Sequence, residues 1–529
     1  MAHVVTQSCV GDGSCVHACP VNCIQPTPDD PAFELADMLH VDPATCVDCG
    51  ACVTACPVDA IKPDWRLDEH ERAFVAINAA YHREARDRPR PLMAPVRPPL
   101  VVRSRPVPPR VAIVGSGPAA MYAADELLTI PGARVTVLER LTQPDGLVRT
   151  GVAPDHRRTR RVSRQLDAIR RHPGLTMRLG VEVGRDVTVD ELLASHHAVI
   201  HAVGATDDRR LDVPGADRPG VLSAAELVGW YNGHPDRGPA AVDLSHRRAV
   251  VVGNGNVALD VARILTADAG ALADSDIAPA ALAALRDSGI EEVVVVGRRG
   301  PEHSAFTLSE LVGLRATPGV TVGVRPQDLA SAPDGDPRLA MLRELDAPAT
   351  TGRRITFRYG LTPVAILAGG DGASGPVSGT GDDAADGARG LTSADPTTGA
   401  VTGIRLEGPG GTETIAAGLV VTAIGFRGRP VPGLPFDAAR GTVPHDEGRV
   451  IDPATGDAVP GAYVVGWIKR GPTGSIGTNR ACAQDTVASL VDDYNAGRLA
   501  DPRDGTTPRV PAPGPVARHV ARALQVVRS

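Results

Sequence analysis

The chain of 529 residues has few aromatic side chains, no large excess of either charge and no long apolar runs. Aromatic residues make up only 3% of the chain, which argues against platforms for stacked bases. The net charge is −7, from 55 basic and 62 acidic residues, and gives no reason to expect nucleic-acid binding. No apolar run reaches about 18 residues, and residues 1–9 lack the basic-then-apolar order of a signal peptide. We therefore expect a soluble, cytoplasmic protein with no nucleic-acid partner and no membrane insertion.

Cysteine is nearly absent after residue 56. Of the nine cysteines, only Cys482 lies beyond that point. This clustering excludes an ordinary disulfide-stapled secreted protein, whose cysteines would be spread over its domains. It also excludes a disulfide reductase, because that class needs a redox-active CxxC beside its flavin.

Composition divides the chain into an acidic module, a linker and a larger body. Residues 1–82 contain three basic residues against twelve acidic ones. Residues 83–110 contain eight prolines and eight arginines, which favours a semi-rigid, extended linker at 83–107. The body then alternates short β-branched runs with glycine turns and Ala/Leu-rich stretches, the pattern of βαβ units. Residues 368–390, rich in Gly, Ala and Asp, are predicted to be a surface insertion.

The acidic module contains one cysteine spacing twice. The second copy, residues 46–57, reads CxxCxxCxxxCP, the bacterial iron–sulfur spacing in which three cysteines bind one cluster and the fourth binds another. The first copy, residues 9–20, has the same register but carries Asp12 where the second cysteine would stand. Two half-motifs predict two clusters with exchanged fourth ligands.

This exchange assigns the cysteines to two sites. A [4Fe-4S] cluster is predicted on Cys19, Cys46, Cys49 and Cys52. The second site has three thiolates, which favour a [3Fe-4S] cluster, while a second [4Fe-4S] cluster capped by Asp12 is the alternative; these thiolates are Cys9, Cys15 and Cys56. Cys23 is predicted to be an unligated thiol near a cluster. A zinc module is the disfavoured alternative, because zinc fingers rarely repeat this spacing.

A first dinucleotide fingerprint follows the predicted strand Val111–Val114. The segment 115–120 reads GSGPAA, with Gly115, Gly117 and Ala119 in the GxGxxA positions before a helix-prone stretch. Such glycines admit a pyrophosphate to the helix N-terminus. The next predicted strand, Val135–Leu138, is followed by Glu139, which is placed to accept hydrogen bonds from ribose hydroxyls.

A second fingerprint follows the predicted strand Ala249–Val252. It is formed by Gly253, Asn254, Gly255, Asn256 and Val257. The next predicted strand, Val293–Val296, leads to Arg298 and Arg299 rather than to an acid, which favours a 2′-phosphate and therefore NADP. The long interval before these arginines indicates an Ala-rich insertion around residues 267–288.

Two resemblances extend these observations. Residues 1–65 resemble a bacterial seven-iron ferredoxin in both cysteine half-motifs and in the extra cysteine of Cys19-Pro-x-x-Cys23. Residues 108–529 resemble the adrenodoxin reductase type of ferredoxin–NADP reductase in four strings: GLVRTGVAPDH at 146–156, VGWYNG at 228–233, NGNVALDVAR at 254–263 and GWIKRGPTGSIG at 466–477. The whole chain resembles actinobacterial fusions of a ferredoxin to such a reductase.

The resemblance implies the cofactor contacts residue by residue. It implies FAD contacts at Ala119, Glu139, Leu147, Val183, Trp467, Gly474, Ser475 and Ile476. It implies NADP contacts at Asn254, Gly255, Asn256, Val257, Arg298, Arg299 and Glu310. It also places His156 and Glu310 near the flavin–nicotinamide contact, where they would tune the flavin rather than carry the hydride.

The expected fold class is an α+β ferredoxin domain followed by two α/β, Rossmann-like dinucleotide-binding domains. Because the C-terminal string belongs to the FAD site although it follows the NADP site, the FAD domain is expected to be discontinuous. The predicted domains are the ferredoxin at 1–82, the FAD domain at 108–208 and 446–529, and the inserted NADP domain at 209–445.

The resemblance implies an NADPH-dependent ferredoxin reductase. Hydride would pass from NADPH to FAD, and single electrons would then pass to the clusters of the fused ferredoxin, of a separate ferredoxin, or to another acceptor such as a cytochrome P450. An electron-input subunit similar to the glutamate synthase small subunit is the alternative, although such subunits carry their cysteines with other spacings. A zinc-bearing regulatory NADP-binding protein is a third, and it would be colourless.

Overall fold

The computed structural model describes residues 2–84, 91–103, 107–238, 241–330, 332–345, 349, 351–369 and 399–503. The chain forms two compact units. The first contains Met1–Val152, Arg158–Asp207 and Phe426–Ser529, and the second contains Ala153–Arg157 and Asp208–Gly425. Three short elements lie at the boundaries: helix Arg157–Arg160 and strands Asp207–Asp208 and Phe426–Arg427. Within the described residues, no helix combines the length and apolarity needed to cross a membrane.

The N-terminal module, residues 2–84, repeats one small pattern. Helix Ser14–Ala18 follows Gly13 and helix Ala51–Ala55 follows Gly50, and both glycines have a φ of 75° that would strain a residue with a side chain. The other elements are the antiparallel strand pairs His3–Val5 with Ile61–Pro63 and Ile24–Gln25 with His40–Val41, the 3₁₀ turns Pro31–Leu35, Asp64–Arg66 and His70–Arg72, and the helix Ala73–Glu84.

One buried side chain of this module fastens its two strand pairs. The Oδ1 atom of Asn78 accepts hydrogen bonds from the N–H groups of Val5 and Val41, at 3.1 and 2.9 Å. Its Nδ2 atom donates to the carbonyl of Val5 at 2.9 Å. Because the amide satisfies backbone groups that would otherwise be buried without partners, it holds the helix against both strand pairs.

A seven-stranded sheet forms the first dinucleotide fold, in the first unit. In spatial order its strands are His445–Asp446, Arg449–Ile451, Ala458–Val464, Ala198–His201, Arg110–Val114, Arg134–Glu139 and Leu175–Leu179, of which the last five run parallel. Its helices are Pro118–Leu128, Leu147–Thr150, Val162–Arg170, Val189–Ser195, Trp467–Arg470 and Thr478–Asn495. The strand Ala458–Val464 pairs with Ala198–His201, so this fold combines distant parts of the chain.

A six-stranded parallel sheet forms the second dinucleotide fold, in the second unit. In spatial order its strands are Val221–Ser223, Leu419–Thr422, Arg248–Val252, Glu292–Val296, Arg353–Arg358 and Val320–Val324. Its helices are Ala224–Asn232, Asn256–Thr266, Ala269–Leu272, Pro279–Arg286, Leu308–Arg315, Pro326–Leu329 and Pro337–Arg343, with the 3₁₀ turn Pro301–His303. A second sheet contains the antiparallel strands Thr362–Ala368, Val401–Gly408 and Gly411–Ala416.

The predicted strands and helices are present in both folds. Each of the four predicted strands lies within an observed parallel strand, because a run of buried valines suits a strand covered on both faces. The Ala-rich stretch predicted around 267–288 contains the helices Ala269–Leu272 and Pro279–Arg286. Most of the insertion predicted at 368–390 lies outside the described residues. The second unit ends at Gly425, whereas the sequence places the end of the NADP domain at 445; the domain limits remain predictions.

The described part of the Pro/Arg-rich linker contacts helix Thr478–Asn495. Arg97 pairs with Asp485 at 2.6 Å. Farther along, the N–H of Arg103 donates to Asn495 Oδ1, and Asn495 Nδ2 donates to the carbonyl of Val101, both at 2.9 Å. These contacts hold the linker against the first unit.

Candidate functional site

The structure groups the cysteines of the N-terminal module into two sets, and none of the nine cysteines of the chain forms a disulfide. One cavity is lined by Cys19, Cys46, Cys49 and Cys52, together with Cys23 and His3. Cys19 thus joins cysteines from the other half-motif, in agreement with an exchanged fourth ligand. Burial raises the pKa of Cys52 to about 12, and the charges of the neighbouring Cys46, Cys19 and Cys49 add to this effect.

The second set contains Cys9, Cys15 and Cys56. Burial, followed by the charges of Cys9, Asp12 and Cys56, raises the pKa of Cys15 well above its usual range. Burial likewise raises the pKa of Cys9 to about 12. A buried set of thiols that resists ionisation alone suits a site where iron supplies the compensating positive charge. Both sets therefore fit the thiolate donors that iron–sulfur clusters require.

Cys23 lies beside the first set. Its Sγ atom is 3.4 Å from Sγ of Cys19, and its N–H donates to the same sulfur at 3.3 Å. A comparable bond joins the N–H of Ala60 to Sγ of Cys56 at 3.2 Å. Backbone hydrogen bonds to ligand sulfurs stabilise their negative charge and shift cluster potentials.

Asp12 lies beside the second set and is engaged by other groups. The hydroxyl of Ser14 donates a short hydrogen bond to its Oδ2 atom, and Arg480 Nη1 is 3.9 Å from the same oxygen. The carboxylate is only 7% exposed, and burial raises its pKa above the ordinary aspartate value although Ser14 and Arg480 act in the other direction. Arg480 was not predicted as a site residue.

The N-terminal module is docked on the C-terminal GPTGSIG string. The carbonyl of Val10 accepts from the N–H of Gly477 at 2.6 Å and from Oγ of Ser475 at 2.8 Å. A Cβ atom on Gly477 would lie 2.2 Å from the backbone nitrogen of Asp12, so only glycine permits this approach. Val10 also shares an apolar core with the first dinucleotide fold, as does Val58.

Ion pairs surround this docked surface. Glu71 accepts from Lys62 within the module and, at 2.8 Å, from Arg158 of the reductase body. Arg161 pairs with Asp59. The basic partners of the acidic module described here are therefore arginines of the body, whereas Arg97 of the linker pairs within the body.

The first fingerprint forms an open cradle at a helix N-terminus. Gly115 has a φ of 102°, and a Cβ atom there would lie 2.5 Å from the carbonyl oxygen of Ala202. Gly117 precedes helix Pro118–Leu128, and the space beside its Cα is open, which fits the approach of a pyrophosphate. Glu139 Oε2 accepts from the N–H and hydroxyl of Ser116 at 3.0 and 2.7 Å. The cradle fits the adenosine diphosphate half of FAD.

The remaining predicted FAD residues also lie in the first unit. Leu147 begins a short helix and is 36% exposed, whereas Val183 is buried. Trp467 stacks on Phe426, with ring centroids 6.1 Å apart, and its Nε1 atom donates to the carbonyl of Thr473 at 3.0 Å. The same turn contains Gly474, Ser475 and Ile476, so one segment carries predicted flavin contacts and the module's docking surface. The assignments of all these residues to FAD remain proposals.

The second fingerprint repeats this geometry in the second unit. Gly253 has a φ of 114°, and a Cβ atom at this position would lie only 2.2 Å from the carbonyl oxygen of Ala423. Gly255 precedes helix Asn256–Thr266, which begins with Asn256 and Val257, and the side chain of Asn256 accepts from the N–H of Thr307 at 2.8 Å. Asn254 lies in the turn between these glycines.

Two exposed arginines follow the neighbouring strand. Arg298 and Arg299 come directly after strand Glu292–Val296 and the buried Gly297. Within the described chain, neither guanidinium forms an ion pair. Two uncommitted positive charges at this edge fit the 2′-phosphate of NADP.

The second unit also contains a partly buried polar cluster around His156. Its Nε2 atom is 2.8 Å from Arg263 Nη2, 3.7 Å from Asp260 and 3.9 Å from Glu310. Burial raises the pKa of Asp260 to about 7, and burial lowers the pKa of Arg263 to about 10. The structure thus brings together His156 and Glu310, which the sequence places 154 positions apart in the numbering. Because Arg263 already donates to the His156 nitrogen, this cluster does not suit a metal ion.

Two family descriptions match separate parts of the chain. Residues 8–60 match a 4Fe-4S dicluster domain, and residues 109–300 match pyridine nucleotide-disulphide oxidoreductase. These matches confirm an iron–sulfur module followed by a nucleotide-binding oxidoreductase fold, as predicted.

Full-length relatives extend this result. A Mycobacterium tuberculosis protein named "Probable ferredoxin/ferredoxin--NADP reductase" is 52% identical over 520 residues, which cover 95% of this chain and 85% of the relative. The "NADPH-ferredoxin reductase FprA" of the same organism is 44% identical over 398 residues, or 72% of this chain and 83% of FprA. The solved structure "Mycobacterium tuberculosis FprA in complex with NADPH" has a TM-score of 0.65 and 39% identity, covering 80% of this chain and 90% of its own. The chain therefore belongs to the ferredoxin/ferredoxin–NADP reductase family.

Proposed function

We propose that this chain is an NADPH-dependent ferredoxin reductase, which takes a hydride from NADPH and delivers single electrons to iron–sulfur clusters. The observation that carries the proposal is that Val10 of the N-terminal module is hydrogen-bonded to Ser475 and Gly477. These two residues lie in the same turn as the predicted flavin contacts. When bound, FAD supplies two-electron chemistry with a nicotinamide and one-electron chemistry with clusters.

Each nucleotide is held by a distinct set of groups. The N–H groups at the start of helix Pro118–Leu128 bind the FAD pyrophosphate, because a helix N-terminus attracts anions. The start of helix Asn256–Thr266 does the same for NADPH, while Arg298 and Arg299 bind its 2′-phosphate. This division predicts a preference for NADPH over NADH.

His156 and Glu310 have a tuning role in this proposal. Because a guanidinium can only donate, Nε2 of His156 is the acceptor in its contact with Arg263. Asp260 and Arg263 fix the ring in place. His156 and Glu310 then set the local charge where the nicotinamide and the flavin react, and neither residue carries the hydride.

The two cysteine sets hold two clusters. Cys19, Cys46, Cys49 and Cys52 supply four thiolates for a [4Fe-4S] cluster. The second set supplies only Cys9, Cys15 and Cys56, which favours a [3Fe-4S] cluster over a second [4Fe-4S] cluster capped by Asp12. We therefore expect about seven irons per chain. An iron assay near eight, with no three-iron EPR signal, would contradict this composition.

The onward acceptor is a separate ferredoxin or another one-electron acceptor, such as a cytochrome P450 system. The alternative is an electron-input subunit of a larger complex, without independent turnover. Gel filtration combined with NADPH–ferricyanide turnover separates the two, since robust activity of a single chain argues against the subunit.

Anaerobic titration with NADPH, followed by absorbance and EPR, tests the central proposal. We expect bleaching of the flavin and then the appearance or loss of cluster EPR signals as electrons reach each centre. A bleached flavin with unchanged clusters at equilibrium, although chemical reductants of similar potential reduce them, would overturn transfer within the chain.

A further inference from the structure

Arg480 belongs to the last helix of the first dinucleotide fold, yet its guanidinium reaches the cysteine module. Nη1 is 3.1 Å from Oγ of Ser14 and 3.9 Å from Oδ2 of Asp12. On the other side, the guanidinium lies 5.9 Å from the ring centroid of Tyr122. A residue of the reductase body therefore contacts the polar side chains beside the second cysteine set.

Asp12 is the group that decides what this set can bind. It occupies the motif position of a missing cysteine, three residues from Cys9 on one side and three residues from Cys15 on the other. In the described structure, however, the carboxylate is committed to the Ser14 hydroxyl, to nearby backbone N–H groups and to the charge of Arg480. To cap a fourth iron it would have to leave these partners.

We propose that Arg480 is a positioning residue that retains the Asp12 carboxylate and thereby keeps the second cluster at three irons. This inference rests on the proposed function in requiring that Cys9, Cys15 and Cys56 bind a three-iron cluster. A buried carboxylate with a guanidinium and a hydroxyl as partners is held more firmly than one that faces a single neutral donor. The reductase body would thus determine the composition of a cluster in the fused ferredoxin.

The test compares wild type with Arg480→Met, which keeps the aliphatic stem but removes the charge. Both full-length proteins are purified anaerobically and titrated with ferrous iron and dithionite. Conversion of a three-iron to a four-iron cluster takes up one Fe²⁺ and one electron, which these two reagents supply. Iron per chain and the EPR signal of the oxidised three-iron cluster are the readouts. We expect half-conversion of Arg480→Met at a ferrous concentration about 10-fold lower, because the variant lacks the partly buried ion pair that attracts the carboxylate.

Three further variants separate positioning from a general structural effect. Arg480→Lys retains the charge and should restore much of the wild-type resistance. Arg97→Met removes a half-exposed arginine whose partner, Asp485, lies on the same helix as Arg480, and should convert as wild type does. In an Asp12→Asn background, Arg480→Met should have no further effect if Arg480 acts through Asp12.

Several outcomes would overturn the inference. The first is that the second site of the wild type already holds four irons. The second is that Arg480→Met and wild type convert equally. The third is that the effect of Arg480→Met persists in the Asp12→Asn background. Reduction of the flavin by NADPH, followed by absorbance in the same samples, reports separately on the reductase function. Failure of that reaction would contradict the proposed function and leave the iron titration interpretable.

Discussion

The N–H of Gly477 donates a hydrogen bond of 2.6 Å to the carbonyl of Val10, which joins the last part of the first dinucleotide fold to the cysteine module. The contact leaves no space for a side chain, because a Cβ atom on Gly477 would lie 2.2 Å from backbone atoms of Gly11 and Asp12. A contact between two backbones cannot be relieved by a change of rotamer. The module is therefore a packed part of the first unit.

Gly477→Ala should displace the module from this surface. Forcing a methyl group into a packed backbone contact typically costs about 1–3 kcal/mol. We expect a lower midpoint of thermal unfolding for the holoprotein and slower reduction of the clusters by NADPH in stopped-flow experiments. Gly410→Ala is the matched control, since its Cβ would meet open space. Equal behaviour of both variants would show that the docking contact is unimportant.

Substitution of Cys19 or Cys56 should remove the cluster whose other ligands belong to the opposite half-motif. Cys56→Ser should abolish most of the EPR signal of the cluster at Cys9 and Cys15, and Cys19→Ser should abolish that of the cluster at Cys46, Cys49 and Cys52. The reason is that Cys19 supplies the fourth thiolate of the first cluster, whereas Cys56 supplies the third thiolate of the second. Cys23→Ser should leave both signals. If each substitution removed the cluster of its own half-motif, the exchanged arrangement would be wrong.

Arg298→Ala should weaken NADPH more than NADH. Loss of a charge-assisted hydrogen bond to the 2′-phosphate amounts to about 1.5–3 kcal/mol, or roughly 10- to 100-fold in the KM for NADPH. Steady-state reduction of ferricyanide with each nucleotide measures the ratio. Arg286→Ala removes an exposed arginine at the end of another helix of the same unit and should change neither KM. A parallel rise in both KM values would exclude phosphate recognition by Arg298.

Glu292 joins three neighbouring strands of the second sheet and should contribute to its stability. It accepts from Arg248 at 2.6 Å and from Arg354 at 3.0 Å, its register partners on either side. Glu292→Gln leaves these arginines without their charge partner, at a cost of about 3–5 kcal/mol. Hydrogen exchange of peptides covering Arg248–Val252, measured with increasing urea, follows the loss. Glu291→Gln, which removes a half-exposed partner of Arg247, should cost less than about 1 kcal/mol.

The same carboxylate predicts a pH dependence. Burial acts to raise the pKa of Glu292, but the charges of Arg248 and Arg354 outweigh it, so the pKa is lowered. A lowered pKa contributes stability above the unfolded value of about 4.3, and this contribution is lost as the pH falls through the folded pKa. Protection of these peptides in wild type should therefore fall below about pH 4, whereas Glu292→Gln should lack this step. If Glu292→Gln showed the same fall in protection, groups other than Glu292 would be responsible for it.

Local spacing predicted much of this protein. The cysteine groups follow from the CxxCxxCxxxCP spacing, in which three cysteines of a segment bind one cluster and the fourth binds the other. The parallel strands follow from valine runs such as Val293–Val296, which suit burial on both faces. Glu139 was correctly expected at the end of its strand, but its bonds to Ser116 depend on a turn whose geometry the sequence does not specify.

Long-range contacts could not be predicted in this way. Arg480 and Ser14 are 466 positions apart, and nothing near either residue indicates the other. Composition predicted that the linker is extended, but not that Asn495 and Asp485 would bind it. Such contacts arise from the packing of complete domains, and one sequence carries no local signal for them.

The position of Val10 on the Ser475–Gly477 turn has a consequence for competition between acceptors. A free one-electron carrier that approached this turn would meet a surface already covered by the chain's own residues 10–12. Because the N-terminal module is tethered, its effective concentration at this turn is high, so a free carrier in solution would compete poorly for the same surface. Exchange with outside carriers would then take place at the module's outer face, where Cys49 and Val47 are exposed to solvent.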